Sequence, residues 1–342
     1  MKIVGIFVCM LLIGTVLSVS GNVDVERTTI RLSSGNTLYV GGSGPGNYTS
    51  IQGAIDDAED GDTVFVYDDS SPYYENVVVN KSINLIGGDR ETTVIDGNRI
   101  GDVVYVNTDG VTISGFTIMK GKDADLQAGV NIKANYTTIS DNIIKDNNDG
   151  IAIWHNYEFP MHKYYLVGNI ISNNIVSSNT AVGIWLSTCN LSTVTNNIIL
   201  NNDFSGIHTN YANNNLISGN ELSNNDYGIS LYQDSDSNKI IGNNITNNKG
   251  CGIFLLESNN NNISQNNFIE NGWRNAKFVY DIGALRNRWD GNYWDYMHTM
   301  ILLKRPYPYP IFGRISIGYG LGVIPWLNFD WHPANEPYDI LN

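Results

Sequence analysis

The middle of the chain carries a 23-residue period. The phrase N-x-(Ile/Val/Leu/Phe)-x-x-N occurs as Asn142-Ile144-Asn147, Asn174-Val176-Asn179, Asn197-Ile199-Asn202, Asn220-Leu222-Asn225, Asn243-Ile245-Asn248 and Asn266-Phe268-Asn271. One interval of 32 between starts is followed by four of 23, and each of the first five phrases is followed by a Gly-Ile pair. A fixed period in this range means a solenoid. Apolar residues two apart, as in Ile229-x-Leu231, carry the strand period, and no useful length shows helical spacing. Short strands and polar turns predict an all-β fold, a parallel β-helix with coils stacked about 4.8 Å apart. Right-handed crossover is the default for parallel strands. In such a stack the Asn columns become amide ladders. The glycines are expected to supply turn conformations that a Cβ penalises. Ile207, Ile229 and Ile253 are expected to form one buried column.

Composition agrees and removes other classes. Asn accounts for 48 of 342 residues, and charged residues for only 16%. The polar load therefore sits on turn-forming side chains rather than helix formers. A net charge of −14 excludes a nucleic-acid partner, which needs clustered Lys and Arg.

The ends differ from the middle. Lys2 and the apolar run Ile3 to Ser20 read as a signal peptide, residues 1–20, cut near Ser20-Gly21. No later run is apolar enough to span a bilayer, so the protein is expected to be secreted, extracellular or periplasmic. Cys189 and Cys251 then remain, three coils apart in different columns, beyond disulfide reach. The β-helix is placed at 21–272. It includes an N-terminal helical cap in which Thr49-Ser50-Ile51-Gln52 forms a capping box and Ile51, Ala54, Ile55 and Ala58 face inward. Residues 273–342 hold most of the Trp and Pro and read as an aromatic C-terminal cap with an irregular tail.

Several phrases resemble a known group: Tyr48-Thr49-Ser50-Ile51-Gln52-x-Ala54-Ile55, Gly61-Asp62-Thr63-Val64, Tyr74-Glu75-Asn76-Val77, Lys81-Ser82-Ile83-x-Leu85-Ile86-Gly87 and Trp289-Asp290-Gly291-Asn292-Tyr293-Trp294. With the Asn/Gly-Ile coils, the chain resembles the right-handed parallel β-helix proteins of the pectate-lyase-like superfamily. Within them it resembles the NosD/CASH (carbohydrate-binding and sugar-hydrolysis) type. The resemblance covers Asn36 to Asp295. It implies the fold, an exported location and a glycan or envelope-polymer partner, and the NosD name implies a role in copper-site maturation.

Three sets of residues are candidates for chemistry. Asp203, Asp226 and Lys249 sit six residues after their repeat Asn; the two acids are the catalytic candidates, and the alternative is a turn-face ladder in which Lys249 offsets them. The Gly-His-Gly of pectin-type hydrolases is absent, and the repeats between Asn142 and Gly272 hold no Arg to act as a lyase base. A second column, Ala152, Trp185, His208, Ser230 and Phe254, follows the repeat Ile by one residue and should face outward. With Trp154, Tyr211, Tyr232 and Glu257 nearby, it is the candidate glycan face, since rings lie against sugar C–H surfaces. The 32-residue spacing marks an inserted loop at 155–165, and its His155, Met161 and His162 are candidate copper ligands. Asp234-Ser235-Asp236 is a candidate Ca²⁺ loop. The reading is an exported, non-catalytic protein that binds carbohydrate or an envelope polymer and requires no cofactor. A polysaccharide hydrolase or lyase and a NosD-like copper-maturation protein, the latter with Cu, are the alternatives.

Overall fold

The computed structural model describes residues 35–154, 165–281, 286–295, 308–316 and 322–340. They form a right-handed parallel β-solenoid of about 11 turns with one helix. Each coil has three short strands at three faces. In one coil these are Leu216–Ser218, Glu221–Ser223 and Tyr227–Tyr232. The first face stacks from Thr37–Val40 to Arg288–Asp290, every step parallel. The second is a 10-stranded sheet from Tyr73–Tyr74 to Tyr293–Trp294. The third runs from Val77–Val79 to Arg274–Asp281 and then accepts Tyr309–Ser316. Ile207, Ile229 and Ile253 are direct partners on the third face and fully buried, as the alternation requires. Cys189 and Cys251 are free.

The Asn ladders are the corners. Asn142, Asn174, Asn197, Asn220, Asn243, Asn266 and Asn292 climb the corner between the first and second faces. Asn220 shows the unit. Its Nδ2 donates to Asn243 Oδ1 (2.9 Å), Val194 O (2.9 Å) and Ser218 O (3.1 Å), and its backbone N–H donates to the same Asn243 Oδ1 (3.0 Å). Its own Oδ1 accepts both donors of Asn197. Every group is paired, so the side chain is fully buried without an unsatisfied polar atom. The ladder has a direction: oxygens accept from the preceding coil and nitrogens donate to the next. It begins where Asn142 Oδ1 accepts from Phe116 N, and ends at Asp330. Asp330 Oδ2 accepts Asn292 N (2.9 Å) and Nδ2 (2.9 Å) as another Asn would, then Trp294 Nε1 (3.1 Å). A carboxylate has nothing to donate onward, so it closes the series.

A second ladder climbs from Asn147 to Asn271 at the next corner. At the third corner Ser192 stands where 23-residue spacing places an Asn between Asn169 and Asn215. Asn169 Nδ2 is consequently buried without a partner among the described residues. Ser192→Asn is expected to mend the gap and raise stability by about 1 kcal/mol, read as a higher urea midpoint. A lower midpoint would mean that the corner lacks room for the amide.

Two local expectations change. The repeat glycines are not in left-handed backbone. A Cβ on Gly183 would stand 2.7 Å from Gly206 O and 2.7 Å from Ile199 Cγ2, so close stacking excludes it. The left-handed residues are those just before the ladder amides: Asn196 (φ 55°), Asn201 (φ 56°) and Gly219 (φ 65°), among others. Asn tolerates this region better than most side chains, which explains the doubled Asn-Asn pairs. The expected capping box also differs. The helix Ile51–Asp57 is N-capped by Ser50, whose Oγ accepts from Gly53 N (3.2 Å). Gln52 instead pins the first strand of the third face, accepting from Val78 N (2.8 Å) and donating to Val78 O (3.2 Å). The Glu75 carboxylate accepts from Ile51 N and Gln52 N, both at 2.9 Å, so Tyr74-Glu75-Asn76 is a capping motif for the helix.

At the other end, Trp294 is stacked between Phe268 (4.5 Å) and Tyr309 (4.3 Å). The stretch read as an irregular tail contains an antiparallel hairpin, Tyr309–Ser316 with Val323–Asp330, whose first strand continues the third face. Its Pro and Gly content hid the strands, which period and β-propensity alone do not recover.

Candidate functional site

The outward side of the third face carries an aromatic surface. Strand pairing puts Ala152, Trp185, His208, Ser230, Phe254 and Lys277 in one continuous column. Their chain neighbours Ile207, Ile229, Leu231, Ile253 and Leu255 enter the core, which leaves this column outside it. It is not bare. Phe204, from the corner before the face, and Tyr227 and Tyr232, at the two ends of one of its strands, close over the column. His208 lies 6.3 Å from Trp185, 5.7 Å from Phe204 and 4.9 Å from Tyr232 between ring centroids. Phe254 lies 5.7 Å from Tyr227 and 5.5 Å from Tyr232. Trp185 and His208 are half-buried, while Ser230 and Phe254 are buried. The rings hold one another in tilted and edge-to-face contacts, a rigid arrangement.

Burial among these rings pushes the His208 imidazole down to about 4, so it is neutral near pH 7. Its Nδ1 lies 2.8 Å from Ser230 Oγ, which lies 2.7 Å from Ser205 Oγ. Trp154 follows the strand that pairs with that of Trp185, with Lys133 Nζ 4.3 Å from its ring centroid. The indole N–H groups of Trp154 and Trp185 are buried without a hydrogen-bond partner among the described residues. Tyr211 and Glu257 occupy left-handed turns just past their strands (φ 51° and 50°), their N–H groups donating to Gln233 O and Val279 O.

The aspartate column does not keep the register its spacing suggests. Leu200 pairs with Ser223, but Ser205 pairs with Tyr227, an offset one shorter. The corner has lost a position: Asp203 N–H donates to Asn179 O, but Asp226 N–H donates to Phe204 O and not to the equivalent Asn202 O. Asp203 is exposed, and Asp226 is half-buried at the edge of a cleft. In the Asp234-Ser235-Asp236 loop, Ser235 Oγ donates to Tyr232 O (2.7 Å) and Asp236 Oδ1 accepts from Asn259 N (2.6 Å). These oxygens hold the corner, and among the described residues the loop brings no third acidic or imidazole ligand. Asp149, at the start of a third-face strand, is pushed up to about 7 by burial while its Oδ1 accepts from Val182 N.

His155, Met161 and His162 lie outside the described residues. Among the described residues no three His, Cys, Asp or Glu side chains converge. His208 is half-buried among rings, His332 is paired with Asp290 at 2.9 Å, and burial drives the Cys189 thiol up to about 12. These soft donors do not fit a shared copper site.

Beyond Phe254 the aromatic face runs into a cleft of about 1070 Å³, bordered by the last coils and the hairpin. Sequence reading missed Phe204, Tyr227 and this cleft. Only the 23-residue step from Phe254 to Lys277 pointed there.

A family model described as "Periplasmic copper-binding protein (NosD)" matches residues 32–298. No curated protein gives a significant match. Among solved structures, a XylC complex with xylose is similar at 14% identity and TM-score 0.56, covering 74% of this chain and 70% of that one. The pectate lyase Pel9A is similar at 14% identity and TM-score 0.53, covering 76% of each. The Dettilon tailspike protein is similar at 14% identity and TM-score 0.52, covering 74% of this chain and 65% of that one. Likeness at this identity establishes the shared β-helix and no more.

Proposed function

The chain belongs to the NosD family, a family described as periplasmic, and from that premise we propose that it is an exported, non-catalytic protein of the cell envelope that binds glycan through its third face. The observation that carries this is the ring surface itself. Trp185, His208, Tyr232 and Phe254 lie side by side across successive coils and lead into a cleft with exposed indoles. A preassembled ring surface loses little entropy when a sugar C–H face settles on it. The apolar run at residues 3–20 supports export, and among the described residues no helix is long and apolar enough to cross a membrane. One solved neighbour is described in complex with xylose and another as a pectate lyase, which agrees with a sugar ligand.

Trp185→Ala is the test. The ring supports no core residue, so the variant is expected to fold and to bind glycan several-fold more weakly, about 1 kcal/mol. His208→Ala adds a further graded loss. Affinity on a glycan array and the melting temperature separate the readings. Lower stability with unchanged binding would end the proposal for this face, as would a parent that binds no glycan. New reducing ends or unsaturated product from the parent would make it an enzyme, with Asp203 and Asp226 the first carboxylates to replace. The family description supports copper as the second reading. In that case His155, Met161 and His162 would supply imidazole and thioether donors. A bound Cu(I) equivalent that disappears in His155→Ala/His162→Ala would move the function there.

A further inference from the structure

The chain carries 34 acidic and 20 basic side chains, yet four of its cations surround one cleft. Lys249, Arg274 and Lys277 come from the last coils and Arg314 from the hairpin, and Asp226 is the one carboxylate on the same lining. The local balance is +3 in a protein of net −14. Among the described residues none of the four cations belongs to an ion pair. Two of them lie over rings: Arg274 Cζ is 4.8 Å from the Phe312 centroid, and Lys277 Nζ is 5.5 Å from that of Phe254. Like charges gathered without counter-charges repel one another, and a cleft of one sign focuses its field on anions. Trp273 is 88% exposed and Trp326 46% exposed on the same cleft.

We propose that this cleft takes a carboxylate-bearing glycan, a chain of uronic-acid type, and that the aromatic face delivers the chain to it. The inference rests on the glycan reading above and adds the charge class. The argument is chemical. Guanidinium and ammonium groups pair with sugar carboxylates, Arg in two-toothed fashion. The interleaved Trp and Phe rings take the sugar faces. A duplex nucleic acid, with one charge per about 1.7 Å of its axis, would meet the repulsion of the acidic remainder more strongly than a chain with one carboxylate per sugar.

The probes are hexameric α-1,4-galacturonate, the same hexamer fully methyl-esterified, and poly-L-glutamate, titrated calorimetrically into the full mature chain. The acid hexamer is expected to bind about tenfold tighter than its ester at low salt, with the gap closing at high salt. Arg274→Gln/Lys277→Gln is expected to lose about tenfold for the acid and to leave the ester unchanged. Should that pair unfold the hairpin contact, Lys249→Gln/Arg314→Gln, both exposed, carries the same expectation. Equal binding of acid and ester would overturn the charge class while leaving glycan binding in place. Equal binding of polyglutamate would overturn the sugar component of the proposal. If neither hexamer binds, this proposal falls, and failure of the array as well would take the glycan reading with it.

Discussion

Asp330→Ala is expected to cost about 4–6 kcal/mol, more than truncating a core isoleucine. The carboxylate accepts five N–H groups: Asn292 N and Nδ2, Trp294 Nε1, Gly291 N and His332 N. It is itself fully buried. Hydrogen bonds to a charged acceptor are worth about 1.5–3 kcal/mol each, and orphaned buried donors retain the full desolvation penalty. Water reaches the outer donors, so the sum is not realised. Asp330→Asn keeps one acceptor oxygen and turns an amide towards donors on the other side, so about half the loss is expected. Urea unfolding of both variants is the measurement. An alanine variant with the parent midpoint would show that the ladder needs no carboxylate at its end.

Ile229→Ala comes second, at about 2–5 kcal/mol. Ile229 is fully buried between Ile207 and Ile253. The neighbouring coils are held at their corners by amides bonded on both sides, so the walls have little freedom to close on the void. That argues for the upper part of the range. In a solenoid each coil contacts chiefly its neighbours, so the loss should lower the unfolding barrier of the adjacent coils as well. An unchanged melting temperature would mean that Ile229 does not face inward.

Much of this architecture was legible in the repeat, because stacking forces residues one period apart into one column and the core beads obey the same count. The corner chemistry was not. Nothing in the spacing tells whether Gly206 is needed for its backbone angle or for the closeness of the next coil, and the second reason holds. The aspartate column failed for a related reason. One residue is missing between Ser223 and Tyr227, and a count from Asn220 cannot say where a turn absorbs it. The outward column containing Trp185 and His208 was legible; its cover was not, since Phe204 lies in that irregular corner and Tyr227 opens the strand just after it. The cleft was least visible of all. Its cations come from residues 249–277 and from Arg314, joined only when the hairpin folds back on the last coils.

The one-way amide series sets how long this molecule is. Each added coil would meet the demand of the coil below and present the same demand at its own top, so the repeats contain no instruction to stop. Length is encoded in the position of one acidic side chain and not in the number of coils beneath it. Duplicating one coil's length of sequence anywhere below Asn292 would therefore give a taller protein with the same ending. Removing the carboxylate would leave a growing end, the two Asn292 donors of the ladder unmet and fitted to the amide oxygen of any further coil that arrives.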